Sequence, residues 1–359
     1  YQLYMPSYFL GTFTEYPYTK IFAYFAEIQN IHNVVLIRNI IMNILNFMQR
    51  FPDEASCIAY LKEQREQSGI VCKHCGCTEH RWDANKLVFE CKHCHHRQSL
   101  RSGTVMEHSK LPFRYWIAAM FLLTSTKKSF STEEIRRQLG HKRYQPIWEM
   151  VCKLRDVMGK RDERYRLTGS VELDEGFFTV ELQEEEKDKP LKRGRGSQRK
   201  ARILVMVESS YSTKTPKRGR PNKAVGHLKM QVISDLGSKT ITKVVKEQLE
   251  PSVELTTDDS TSYIKFDKLV KSHKAVTSGK EAVKVFLPWV HIAISYAKRL
   301  LLDVHHKLKN EYLQYYLNEF CYKFNRRYLD EKLFDRLAFT AINYNTDFRS
   351  KIYRRTSCG

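Results

Sequence analysis

At 359 residues the chain is long enough for two or three domains. Its composition, 42% apolar with 15 Gly and 10 Pro, excludes collagenous and low-complexity chains and allows a buried core. A formal net charge of +21 makes a polyanion the expected partner, with nucleic acid ahead of an anionic membrane surface. No apolar run approaches the ~18 to 20 residues of a spanning helix, and the amino terminus lacks the features of a secretory signal. The nine cysteines are therefore read in a reducing compartment, where metal binding outranks disulfides.

The chain begins at Tyr1, and residues 1–25 hold ten Tyr or Phe with neither helical nor strand period. Residues 1–41 are expected to be an upstream leader foreign to the fold, with a soluble protein opening near Met42. A helical segment, 42–69, includes a helix over 53–67 with Asp53 and Glu54 in its first turn. The run from Leu111 to Ser125 reads as a buried helix with Pro112 near its start. Ser131 and Glu134 then form a capping box, Phe130 and Ile135 have the spacing of a hydrophobic staple, and the helix is expected to stop at Gly140. A further helix carries Ile147, Met150, Val151, Leu154 and Met158 on one stripe. Three helices with a Gly-containing turn predict a helix-turn-helix over 99–165. Lys142, Arg143 and Lys153 are its candidate DNA contacts, and the 147–158 helix either reads sequence together with the cysteine-bearing segment or is wholly core.

Beyond Gly169 the pattern turns to strands at 170–180, 203–207, 228–233 and 254–257, with a helix at 238–249 and helices again from about 289. That order implies a mixed α/β layer fold around one sheet, spanning 166–345, with 346–359 as a tail. From Lys187 to Lys223 thirteen Lys or Arg face only Asp188 and Glu208. Lys192, Arg193, Arg195 and Arg199 suit phosphate tracking. Lys217, Arg218 and Arg220, in Lys217-Arg218-Gly219-Arg220-Pro221, suit either an arginine clamp in a narrow minor groove or a solvated loop.

Two clusters carry chemistry. Cys72-Lys73-His74-Cys75, fifteen residues, then Cys91-Lys92-His93-Cys94 is the spacing of a four-thiolate zinc site, which defines a zinc ribbon over 70–98. A closed thiolate shell leaves no position for substrate, so this Zn²⁺ is structural and its binding energy is folding energy. Cys57, Cys152, Cys321 and Cys358 fall in no motif and are expected to be core or incidental. In Glu172-Leu173-Asp174-Glu175, Asp174 stands in an otherwise apolar strand, where a carboxylate is costly unless it meets a metal or a partner. Asp258 recurs at the end of another strand. Two strand-borne Asp brought together make a hard-oxygen site for Mg²⁺ or Mn²⁺, although an Asp after a strand is also a common cap or turn residue.

Several runs together resemble one family. They are the two Cys pairs, Val171–Glu175, Lys192–Gln198, Thr257-Asp258 with Tyr263, Leu287-Pro288-Trp289-Val290-His291, and the run from Tyr316 to Arg327. Across Phe51 to Leu337 the chain resembles insertion-sequence transposases of the DDE type that carry an amino-terminal zinc ribbon, the ISXO-like branch. The resemblance implies a ribonuclease-H-like catalytic domain and metal-dependent cleavage and strand transfer at the terminal inverted repeats of a DNA element. It also implies double-stranded DNA as partner, a homodimer or larger assembly on that DNA, and a place on the bacterial nucleoid in the cytoplasm.

Carried over by position, Asp174 and Asp258 are the first two metal-binding carboxylates and Lys298 the basic residue beside the third ligand. Two places before that Lys, where the family carries Asn, an acidic residue or His, this chain presents Tyr296. A neutral phenol is a poor ligand for a hard cation. The substitution therefore predicts a degenerate copy that binds element ends with little or no cleavage, with Asp303, two helical turns on, as stand-in ligand.

Overall fold

A computed structural model describes residues 42–182, 186, 188–212, 221–260, 263, 266–276, 285–305, 308–329, 332–346 and 348. The leader, Lys217, Arg218, Arg220 and Cys358 lie outside them.

Side-chain caps open the first two helices. Asn43 accepts from the Asn46 N–H at the start of α1 (Ile44–Arg50). At the start of α2 (Glu54–Ser68), Asp53 accepts from Ser56 N–H at 2.8 Å and Ser56 Oγ accepts from Asp53 N–H, a closed capping box. Asp53 is thus the cap and not a first-turn residue. The ribbon follows as an antiparallel sheet of β1 (His80–Asp83), β2 (Val88–Cys91) and β3 (Arg97–Ser99). Such short strands hold too few alternations to announce themselves in sequence. Phe89, 1% exposed, packs on Trp82 beneath them.

Three helices come next: α3 (Phe113–Ser125), α4 (Thr132–Gln138) and α5 (Tyr144–Glu163). Pro112 caps α3 without a side-chain bond, and Glu54 of α2 supplies the missing acceptor, taking Phe113 N–H at 2.7 Å and Arg114 N–H at 2.8 Å. Ser131 caps α4 through Glu134 N–H, but the return half of the expected box is not formed. The Glu134 carboxylate is instead held by Gln138 and Arg137. Gly140 (φ +64°) ends the helix as expected.

Of the two roles open to α5, reader of sequence or core, the structure favours the core. Every residue from Met150 to Gly159 is buried, because α5 is enclosed by α3, α4, α8 (Asn310–Asn325) and α9 (Leu333–Asn343). Gly159 lets α5 and α8 close up, since a Cβ there would run into the Asn318 amide. A buried ion pair, Arg155 Nε to Glu319 Oε2 at 2.8 Å, ties the same two helices. Lys153 is 5% exposed and donates its ammonium to the Glu107 carbonyl at 3.0 Å, so it is not offered to DNA. Of the α4–α5 unit, Lys142, Arg143 and the first turn of α5 face solvent.

The main sheet comprises β4 (Ser170–Thr179), β5 (Lys200–Tyr211), β6 (Lys223–Ile233), β7 (Glu254–Asp258) and β8 (Ser272–Val276), in the order β6-β5-β4-β7-β8. β8 had no counterpart in the sequence reading. β5 is antiparallel to both neighbours, while β4, β7 and β8 run parallel. Ile203, Val205 and Val207 pack beneath α7 (Pro288–Val304) and α8, and Leu204 and Met206 beneath α6 (Ser238–Gln248). Burial on both faces is why this central strand reads as an unbroken apolar run. Cys57, Cys152 and Cys321 are buried, as expected for thiols outside any motif.

Candidate functional site

The four ribbon sulfurs converge. Their ligand atoms all lie within 4.8 Å of one another, with Cys72 Sγ to Cys94 Sγ at 3.6 Å and Cys75 Sγ to Cys91 Sγ at 3.5 Å. A tetrahedron of thiolates ~2.3 Å from Zn²⁺ has edges of about 3.8 Å, so the quartet fits that ion. Two matching knuckles build it. Cys72 O accepts from Gly76 N–H and Cys72 N–H donates to Cys77 O, while Cys91 O accepts from His95 N–H and Cys91 N–H donates to His96 O. The fifth residue of each knuckle is left-handed, Gly76 at φ +74° and His95 at φ +57°. The N–H groups of Cys94 and His93 bring the Cys91 thiol down to about 6 against its desolvation. Cys75 is pushed up to about 12 by the sulfurs of Cys94, Cys91 and Cys72, although the Cys77 N–H works against it. Neighbouring thiols resist joint ionisation until a cation neutralises them, and a bound Zn²⁺ supplies that charge.

The second centre lies where β4 and β7 part. Their parallel register pairs Glu172 with Thr256, and continuing it two residues sets Asp174 opposite Asp258. Glu175 joins them, so that one oxygen of each carboxylate lies within 4.8 Å of the others. Adjacent strand residues point to opposite faces, which hides Glu175 from a sequence reading. Past the end of the ladder its carboxylate swings to the pair and is held by the buried hydroxyl of Tyr263. Tyr263 is itself pushed well above the usual phenol range, by burial first and then by Glu175.

On the other face of β4, α7 runs alongside the strand. His291 Nε2 sits 3.7 Å from Asp174 Oδ2, Ile294 abuts Gly176, and the Lys298 ammonium lies 5.6 Å from the centre of the Phe178 ring. His291 Nε2 has no hydrogen bond among the described residues, and burial lowers its pKa, which keeps the ring neutral near pH 7. Lys298, half-buried, has its pKa lowered by burial and by Lys200, and stands about 10 Å along the helix from His291.

Tyr296 departs from its expected place. It is five residues from His291, roughly 140° around the helix, 40% exposed, with its ring against Phe320 of α8 at 5.6 Å. Asp303 pairs with Lys128 at the surface, 3.1 Å away, and is no stand-in. The sequence reading missed Glu175 and His291, and also Glu172. Glu172, 1% exposed, accepts from Trp289 N–H at 2.8 Å and Val290 N–H at 3.1 Å in the first turn of α7, and pairs with Lys223 at 3.2 Å.

Residues 166–325 match the ISXO2-like transposase domain, and residues 52–97 match the transposase zinc-ribbon domain. The chain carries two domains of transposase families. Each domain holds one of the two centres, the thiolate quartet in the first match along the chain and the carboxylates with His291 in the second. Over 175 residues the chain is 25% identical to an uncharacterized protein in transposable element ISH50 of Halobacterium salinarum. That match covers 46% of this chain and 58% of the relative. No helix among the described residues is long and apolar enough to cross a membrane.

Exposed cations lie on two loops of the described chain. Gln198 clips the 190–198 loop by accepting from Lys192 N–H and donating to Pro190 O, both at 2.9 Å, which leaves Lys192, Arg193 and Arg199 on the surface. The backbone of Arg195 lies in a single helical turn of the same loop. Lys142 and Arg143 rim a cavity of about 780 Å³ that also takes in Lys110 and His141.

Proposed function

We propose that the chain is the transposase of an insertion sequence: it grips the terminal inverted repeats, hydrolyses a phosphodiester at each element end, and joins the freed 3′-OH to target DNA. The observation that carries this reading is the meeting of Asp174, Glu175 and Asp258 where the parallel strands β4 and β7 part, with His291 against Asp174. Carboxylates brought together where two neighbouring parallel strands part, in a mixed sheet covered by helices on both faces, support a ribonuclease-H-like catalytic domain.

The donor set fits a divalent cation. Three carboxylate oxygens within 4.8 Å repel one another without one, and hard oxygens suit Mg²⁺ or Mn²⁺. Asp174 and Asp258 would hold the metal, with Glu175 and the unpartnered nitrogen of His291 within reach. Bound there, a divalent ion activates the attacking oxygen and stabilises the leaving one. The chain's own residues do the rest. Tyr263 fixes the Glu175 carboxylate, Glu172 seats the first turn of α7, neutral His291 offers a lone pair, and Lys298 meets a phosphate farther along the strand. Lys192, Arg193, Arg195 and Arg199 track the backbone, as do Lys142 and Arg143 at the α4–α5 turn. Joining two ends calls for a dimer or larger assembly.

A second reading, an inactive remnant that still grips element ends, rests on Tyr296 in place of the expected ligand. The test is cleavage of a duplex carrying the element's own end in Mg²⁺. Asp174→Asn and Asp258→Asn are each expected to abolish cleavage while DNA binding persists, and Glu175→Gln to lower it strongly. Cleavage that survives both Asp substitutions would overturn the proposal.

A further inference from the structure

Beside the carboxylates α7 presents a surface that neither the core nor the metal centre uses. Ile292, Ser295, Tyr296 and Arg299 recur three and four residues apart and so share one helical face. With His291 they line a hollow of about 400 Å³. Ile292 and Tyr296 are each 40% exposed, and two large apolar side chains left open beside a charged centre mark a contact surface. The Tyr296 ring is also held: it meets Phe320 at 67° between planes, and Phe320 is 4% exposed in the core beneath α7 and α8. Arg299 has no hydrogen bond or ion pair among the described residues. The wall shared with the catalytic cluster is His291, whose ring reaches Asp174.

A fixed aromatic plate, an aliphatic edge and an unpaired guanidinium match the chemistry of one nucleotide, with its base on the ring and its phosphate on the arginine. The volume suits a single small group and not a duplex step. We infer that the hollow receives one nucleobase of the strand being cut, unstacked from the helix and laid on Tyr296, with Arg299 on its phosphate. The inference rests on the transposase reading. It makes Tyr296 a positioning residue: holding one base sets the register of the strand, and so determines which phosphodiester lies over Asp174, Glu175 and Asp258. Sequence tolerance follows, because every base has a π face.

The experiment uses the full chain, loaded with zinc, and duplexes carrying the element's end with 5-iodouracil placed in turn at each position flanking the cleavage point. Irradiation is expected to crosslink one position to Tyr296, identified by peptide mass spectrometry. Cleavage kinetics then complete a double-mutant cycle. Tyr296→Ala is expected to lower cleavage about tenfold to a hundredfold, Tyr296→Phe to recover most of that loss, and an abasic nucleotide at the crosslinked position to make parent and Tyr296→Ala equal. No crosslink to Tyr296 from any position overturns the inference, whether or not the chain cleaves DNA. A crosslink without cleavage leaves it standing and sinks the catalytic reading. Cleavage with additive effects of the abasic site and Tyr296→Ala, or with Tyr296→Phe as poor as Tyr296→Ala, sinks the inference alone.

Discussion

Glu172 is the side chain on which the geometry at Asp174 depends. It stands two residues before Asp174 on the same face of β4, 1% exposed, and takes two N–H groups of the first turn of α7 as well as the Lys223 ammonium. Removing its charge unseats that turn, and His291 lies one residue beyond it. The Lys223 side chain, 11% exposed, would also be left without its counter-charge. Charge-assisted bonds contribute about 1.5–3 kcal/mol, and stripping one partner from a buried pair costs about 3–5 kcal/mol. Glu172→Ala is therefore expected to lose about 3–5 kcal/mol. Glu172→Gln, which keeps an acceptor oxygen, is expected to lose about 2 kcal/mol.

Urea unfolding of the zinc-loaded chain reads these losses as shifts of the midpoint at unchanged slope. Cleavage by folded Glu172→Gln is expected to fall at least about tenfold, because a displacement near 1 Å at a reacting centre can cost about a hundredfold. Adding Lys223→Met to Glu172→Gln should return part of the stability, since the stranded ammonium is gone, but none of the cleavage, since the α7 N–H groups still lack an anion. Loss below about 1 kcal/mol for Glu172→Ala with full cleavage would refute the seating role.

Atomic absorption on the purified chain is expected to find one zinc bound at the quartet, and Cys91→Ser is expected to release it and unfold the segment around 72–98, because the ribbon buries little beyond Phe89. Glu208 accepts from His227, Thr168 and Tyr165, which hold its carboxyl at about 2 against the burial that raises it. A carboxylate with a lowered folded pKa contributes stability fully above its ordinary value of 4.5 and loses it as pH falls from there toward 2. Melting temperatures of Glu208→Gln and parent should therefore converge across that window. Replacing Lys192, Arg193 and Arg199 together should make the slope of log affinity against log salt shallower by about 2 to 3, with little dependence on DNA sequence, and an unchanged slope would remove the 190–198 loop from the interface.

Features set by short-range spacing were legible in the sequence alone. The zinc quartet is one, because two tight knuckles determine where four sulfurs can go. The central strand of the sheet is another: a strand buried on both faces must be apolar throughout, as Ile203–Val207 is. Even the meeting of Asp174 with Asp258 could be anticipated, since both are carboxylates borne on strands of one sheet. What the sequence could not decide was direction. Glu175 alternates away from Asp174 along an ideal strand, and only the end of the β4–β7 ladder lets its carboxylate turn back. Position 296 reads as part of the centre when counted from Lys298, yet the rotation of α7, set by Glu172 on its first turn and by Ala293 and Ala297 in the core, aims His291 at Asp174 and Tyr296 at Phe320. The stripe on α5 looked one-sided because Lys153, Arg155 and Asp156 are charged. Tertiary contacts supply each with a partner, the Glu107 carbonyl, Glu319 and Thr346, and a helix whose charged side chains each meet a partner can be buried on every side, even with Arg155 Nη1 and Nη2 left without a hydrogen bond among the described residues.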